Sequence, residues 1–199
     1  MKQYFSLFLI IFLAFFICVN GTSQSSVNPI FEIIWESDGS GCIQFSTNNP
    51  EYYGWSWWEF VDNPNKRNTY EIECRRISGN DRMGYGMIFG ASNTDDSIYY
   101  FLMINNNGYY CILKKQGPNE TIIKEWTLSE KLNIGYDAVN TLKVIKKGTT
   151  FTVFLNNRQV FKFNDKSING DRLGYWVSIG DKDFESFPNI PVDIRFRQK

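Results

Sequence analysis

The sequence predicts an all-β protein, a two-sheet antiparallel jelly-roll sandwich. Three observations carry that expectation. Roughly a dozen short runs of aromatic and branched residues recur at the 8–12-residue spacing of a sandwich. Gly, Asn, Asp and Pro clusters punctuate those runs. No stretch shows a sustained helical period, no internal repeat occurs, and no coiled-coil pattern is present.

The runs follow in order from Ile30 to Phe196. Residues 30 to 35 form the first, closed by Gly39-Ser-Gly41. Cys42 to Thr47 alternates like a strand with one solvated face. Tyr52 to Val61 is unusually aromatic, and Asp62 to Asn68 reads as a loop. Between Thr69 and Ile77, Tyr70, Ile72 and Cys74 share one face and Glu71, Glu73 and Arg75 the other. The centre is a meander. Tyr85 to Phe89, Ser97 to Ile104 and Gly108 to Leu113 are its strands, and Asn107-Gly108 is expected at a tight hairpin tip because both residues tolerate positive φ. Lys114 to Glu120 reads as a polar loop, Thr121 to Trp126 as a strand, and Leu128 to Tyr136 as irregular with room for one helical turn. Asn140 to Ile145, Phe151 to Leu155 and Val160 to Phe163 follow, with Asn156-Asn157 as a second two-residue hairpin signal. Gly174 to Ile179 and Val192 to Phe196 complete the series.

The chain opens with Met1-Lys-Gln and then an apolar run from Tyr4 to Val19, broken only by Ser6. That run falls short of the ~20 residues a bilayer span takes. It suits a signal peptide over 1–21, cleaved after Gly21, followed by a polar linker over 22–29 and the sandwich over 30–199. Cys18 offers a second arrangement, a lipid anchor. The bulky Phe15, Phe16 and Ile17 before it do not suit that processing, so a secreted, extracellular or periplasmic chain without a transmembrane segment is the expectation. The 21 basic and 21 acidic residues balance. Such a chain lacks the basic footprint of a nucleic-acid partner. There is no histidine, which removes many catalytic schemes. Cys42, Cys74 and Cys111 follow the leader and suit two arrangements: one disulfide with a thiol left over, or three small buried hydrophobes.

From Gly41 to Phe196 the motif series resembles the concanavalin A-like lectin/glucanase superfamily, and within it the secreted laminin-G-like jelly-roll domains near the 3-keto-disaccharide hydrolase type. The carrying residues include the aromatic stretch from Tyr53 to Trp58, Tyr70 to Gly79, Tyr85 to Phe89, Tyr99 to Phe101, Gly108 to Tyr110, Trp126-Thr127, Asn140 to Val144, Phe151 to Asn156 and Val192 to Phe196. The late hairpin has Asn156-Asn157 where such domains often carry Asn-Gly, and Val192-Asp193 stands for a closing Phe-Asp. The resemblance implies two functional classes: a binding module for a carbohydrate or cell-surface glycan, and a glycan-active hydrolase. For hydrolysis, Glu36-Ser-Asp38 matches only the first half of the glucanase E-x-D-x-x-E pattern. Glu71 and Glu73 are the physical candidates. Two residues apart on a strand, they stand ~6.6 Å from each other, inside the roughly 5–9.5 Å range of glycosidase pairs. Arg75 on the same face would hold both ionised, against the raised pKa a catalytic acid needs. No cofactor is expected. Asn93, Asp95 and Asp96 are the candidates for calcium, although Asx residues in a hairpin loop need no metal.

The aromatic cluster is the main binding candidate. On a strand Trp55 and Trp57 face one way and Trp58 the other, and Tyr99 and Tyr100 pose the same split. Only one face of a sheet enters the sandwich core. Trp55, Trp57, Trp58 and Tyr99 are therefore the expected sugar-stacking residues, and packing under a loop is the competing role for the same rings.

Overall fold

The computed structural model describes residues 34–37, 42–47, 56–63, 68–92, 98–168, 170–179 and 192–199, with the backbone alone at 34–37 and 57. The expected leader and linker, together with Trp55 and the Asn93, Asp95 and Asp96 loop, lie outside the described residues.

Thirteen strands build two antiparallel sheets. In chain order they are β1 (Ile34–Ser37), β2 (Cys42–Thr47), β3 (Ser56–Val61), β4 (Thr69–Ser78), β5 (Tyr85–Ala91), β6 (Ile98–Ile104), β7 (Tyr109–Gln116), β8 (Asn119–Leu128), β9 (Asn140–Lys147), β10 (Thr150–Leu155), β11 (Arg158–Asn164), β12 (Arg172–Ser178) and β13 (Val192–Gln198). One sheet has the order β1-β2-β13-β4-β9-β10-β11, and the other β3-β12-β5-β6-β7-β8. No helix occurs among the described residues. The chain is thus the all-β jelly-roll sandwich that its strand spacing predicts.

Period-2 alternation decides what each sheet buries. Along β4, Tyr70, Ile72 and Cys74 point inward and are buried, while Glu71, Glu73 and Arg75 point outward. Between the sheets Phe89 stacks on Tyr100 at 5.1 Å and meets Phe151 at 6.1 Å, and Phe151 stacks on Phe163 at 5.0 Å. Tyr175 and Phe196 stack across the layers at 4.8 Å. Such ring pairs add ~0.5–1.5 kcal/mol beyond their burial. All seven residues of β5 are buried, on both faces of the sheet.

Turn chemistry sets the hairpins. Asn156 and Asn157 both have positive φ, 49° and 63°, and Leu155 pairs with Arg158, so this two-residue turn is as expected. The β6–β7 tip differs in detail. Asn105 N–H donates to Tyr109 O at 3.0 Å and Gly108 N–H to Asn105 O at 3.3 Å, which makes a three-residue loop over 106–108. Gly108 takes the left-handed position at φ 85°. The Asn105 side chain explains the longer loop, because its Oδ1 accepts from the N–H groups of both Asn107 and Tyr109 at 3.1 Å. The segment read as a polar loop, Lys114 to Glu120, is instead strand. β7 and β8 run on to Gln116 and Asn119, joined by Gly117-Pro118. Glycine at φ 56° followed by proline suits a two-residue turn, and Lys115 Nζ bridges to Glu120 Oε1 at 3.2 Å across it. The polarity of this stretch reflects the solvated tip of the β7–β8 hairpin, with β8 at the sheet edge, rather than a loop. Leu128 to Tyr136 contains turns and no helical turn.

Cys74 and Cys111 are free thiols. Cys74 faces the interior and Cys111 the outer side of the six-stranded sheet, so the buried-hydrophobe reading holds for both. Burial, with Glu125 adding to it, pushes the Cys111 thiol up to about 12.

Candidate functional site

The two outward faces of the sandwich are chemically unlike. On the seven-stranded sheet the outward residues of β4 are ion-paired. Glu71 meets Lys143 of β9 at 2.7 Å, Glu73 meets Lys199 at 2.9 Å, and Arg75 bonds Asp137 at 2.8 Å. Both glutamates are therefore partnered by lysines in a charged stripe. They sit on the sheet opposite the aromatic face.

The outward face of the six-stranded sheet is apolar. Register places its residues directly opposite one another. Trp58 of β3 pairs with Trp176 of β12, and Phe60 with Gly174. Gly174 and Trp176 pair in turn with Ile88 and Gly86 of β5. Phe101 and Met103 of β6 follow, then Leu113 and Cys111 of β7. The centre of this face is sealed. Ile88, Phe101, Met103 and Cys111 are buried. Phe60 reaches across Gly174 to Tyr99, edge to face at 5.8 Å. Tyr99 meets Phe101 at 5.3 Å, and Phe101 meets Trp176 at 5.6 Å. The Arg172 guanidinium covers Phe60 at 4.3 Å from the ring centroid, a geometry worth ~0.5–1 kcal/mol where exposed.

Indoles stay open at the flanks. Trp58 is 51% exposed and Trp126, on the edge strand β8, is 44% exposed. Trp176 lies between them, partly buried. Gly84 explains how the rings come together. A Cβ there would sit 3.2 Å from Trp126 Cη2 and 3.2 Å from Trp176 Cζ3. The two benzo edges thus converge over a residue without a side chain. This row of Trp58, Trp176 and Trp126 is the candidate site. Flat rings of this kind stack on the apolar faces of sugars, while each indole N–H donates one bond.

Four binding residues were expected from sequence. Trp58 is exposed on the outward face, as a platform requires. Tyr99 lies on the same face but is only 8% exposed, packed between Phe60 and Phe101. It supports the surface rather than forming it. Trp55 and the side chain of Trp57 lie outside the described residues, while the Trp57 backbone pairs with Val177, whose side chain is in the core. Sequence reading missed Trp176 and Trp126 as site residues. Their signal was long-range pairing, with glycines at 84, 86 and 174 giving the only local hint. Asn93, Asp95 and Asp96 lie outside the described residues, and no metal-holding group of His, Cys, Asp and Glu occurs among those described.

A second polar cluster lies at the opposite end of the strands. Asp165 accepts from the Tyr100 hydroxyl, from Lys114 Nζ at 2.7 Å and from Ser167 N–H at 2.7 Å. Burial alone would raise the Asp165 pKa. The bonds from Lys114, Ser167 and Tyr100 outweigh it and hold the carboxyl well below the usual carboxylate range. Lys114 also bonds Ser167 Oγ at 2.6 Å, but its charge is engaged by Asp165, so the pair is a clamp and not a nucleophile with its base.

No protein-family model matches this chain, and no curated protein matches it. Solved structures do. The carbohydrate-binding module CBM66 from Bacillus subtilis aligns with a TM-score of 0.51 at 16% identity, covering 83% of this chain and 89% of that one. A Bacteroides ovatus mixed-linkage glucan GH16 protein, in complex with a G4G4G3G product, aligns at 0.52 and 8% identity, covering 79% and 74%. The Bacillus licheniformis β-glucanase aligns at 0.50 and 11% identity, covering 89% and 88%. These neighbours share the concanavalin A-like jelly-roll fold. At such identities the likeness is one of fold.

Proposed function

We propose that this chain is a non-catalytic carbohydrate-binding module whose platform is the row Trp58, Trp176 and Trp126. The observation that carries the reading is the half-exposed Trp58, set directly opposite Trp176 on a sheet face that has no place in the core. An exposed indole pair costs solvation unless something covers it, and a pyranose face suits flat rings. The printed names of the structural neighbours, a carbohydrate-binding module and glucanases, accord with a glycan ligand. The apolar leader-like start accords with a secreted or surface-attached protein. Kinship with laminin-G-like domains near the 3-keto-disaccharide hydrolase type belongs to the same proposal and rests on the motif series alone. Binding is preferred to hydrolysis because Glu71 and Glu73 are ion-paired on the far sheet. The reading needs no metal or cofactor.

The test is a glycan array probed with residues 22–199, followed by titration of the best ligand. Trp58→Ala should weaken that ligand by ~1–2 kcal/mol or more while the fold is retained. An array without a hit, or a Trp58→Ala protein that binds as the parent does, sinks the proposal. Turnover of a bound glycan that Glu71→Gln abolishes would establish the hydrolase instead.

A further inference from the structure

At one end of the sandwich a charged side chain is buried with most of its donors unused. Arg76 continues the inward face of β4 after Tyr70, Ile72 and Cys74, and is 1% exposed. Its guanidinium lies over the Tyr85 ring at 5.0 Å. Nη1 donates to Asn80 O, while Nε and Nη2 have no partner. Asn106, 3% exposed in the β6–β7 loop, has no partner for either Oδ1 or Nδ2. Leaving a buried charge or amide unmatched is among the most destabilising arrangements a fold can hold.

The two residues are neighbours through shared segments. Arg76 bonds Asn80 O, and Asn106 N–H donates to Asp81 O at 2.9 Å. The loop after β8 closes over both. Gly135 N–H donates to Asn106 O at 2.9 Å and Asp137 N–H to Arg76 O at 2.8 Å, while the Tyr136 hydroxyl donates to Gly79 O at 2.6 Å. Burial pushes the Arg76 pKa down to about 10, opposed by Tyr85, Tyr136 and Asp81, so the group stays protonated at neutral pH. Among the described residues no ion pair neutralises it: Asp81 does not bridge to it, and Asp137 is engaged by Arg75.

We propose that Arg76 and Asn106 form a binding site for a small monovalent anion, a halide or a short carboxylate, beneath the 133–137 loop. The Nε–Nη2 edge of a guanidinium is the edge that grips an anion in fork geometry. The Asn106 amide supplies the additional donor through Nδ2, the amide being turned with its NH2 toward the ion. One negative charge balances one guanidinium, and the enclosed position favours an ion of few atoms. The ion binds the folded chain alone, because its donors come from two separate segments, β4 and the β6–β7 loop. Occupancy therefore adds to stability by mass action.

Thermal unfolding of the full chain tests this in sodium chloride, sodium formate and sodium gluconate at matched ionic strength. Chloride and formate should raise Tm above gluconate, by roughly 3–5 °C per decade of anion once the site fills. Asn106→Asp removes the amide donor and places a built-in carboxylate beside Arg76. It should raise Tm in gluconate and abolish the anion dependence. Arg76→Met, where it folds, should also lose the dependence. Equal Tm for the parent in all three salts overturns the proposal. So does an Asn106→Asp protein that is destabilised equally in each.

Discussion

The two outward faces of the sandwich obey different rules. The seven-stranded sheet alternates along β4, apolar inward and charged outward, and its outward carboxylates are matched by Lys143 and Lys199. The six-stranded sheet is apolar on both sides, and β5 is buried along its whole length. One sheet spends its outer face on solubility. The other carries a second, smaller apolar cluster there, built from Ile88, Tyr99, Phe101, Met103 and Cys111. A sandwich core requires only one face from each sheet. The second layer is more than a sandwich core requires, and under the proposed function it would back the glycan platform.

Substitutions sharpen this contrast in order of effect. Phe89→Ala, between the sheets, should cost ~3–5 kcal/mol in denaturant unfolding, since Tyr70, Tyr100 and Phe151 all lose a ring contact. Phe101→Ala, on the outer face but sealed, should cost about 3 kcal/mol; a value near zero would show that the second layer is not structural. Asp165→Asn should cost about 2 kcal/mol, between the limits for exposed and buried ion pairs. Its pH signature has a definite sign. A carboxyl held below its unfolded value contributes stability that is present above pH ~4 and is lost as pH falls through the folded pKa. The parent should lose stability on acidification below that point, and Asp165→Asn should lose less, as chemical denaturation at a series of pH values would record. Trp58→Ala should change stability by less than ~1 kcal/mol while weakening glycan binding, which separates the exposed rim from the sealed centre. Glu71→Gln should be the smallest, about 0.5 kcal/mol in stability and nothing in binding, because Glu71 and Lys143 lie together on the outward face of the seven-stranded sheet, away from the indole row.

Most strands were legible because half-buried strands write a period of two, as Thr69 to Ile77 does. The Asn156-Asn157 turn was legible because few residues tolerate two successive positive φ values. Pairing partners were not. That β12 inserts between β3 and β5 joins Trp58 to Trp176 across more than half the chain, and no local pattern encodes it. Lys114 to Glu120 misled because charge signals solvent, and the tip of a hairpin at the sheet edge is as solvated as a loop. Arg76 shows the reverse. Parity along β4 puts it inside, yet its charge argues for the surface, and only the packed structure decides between them.

Gly84 carries a consequence for selectivity. Its backbone needs no unusual φ, so alanine fits the chain there. What alanine meets is Trp126 on one side and Trp176 on the other, each at 3.2 Å. A single methyl group would therefore act as a spacer between two indoles, prising the aromatic row apart by a few tenths of an ångström. Residue 84 is a ruler for the surface: its size sets the spacing of Trp126 and Trp176, and with it, under the proposed function, the glycan repeat the row would match.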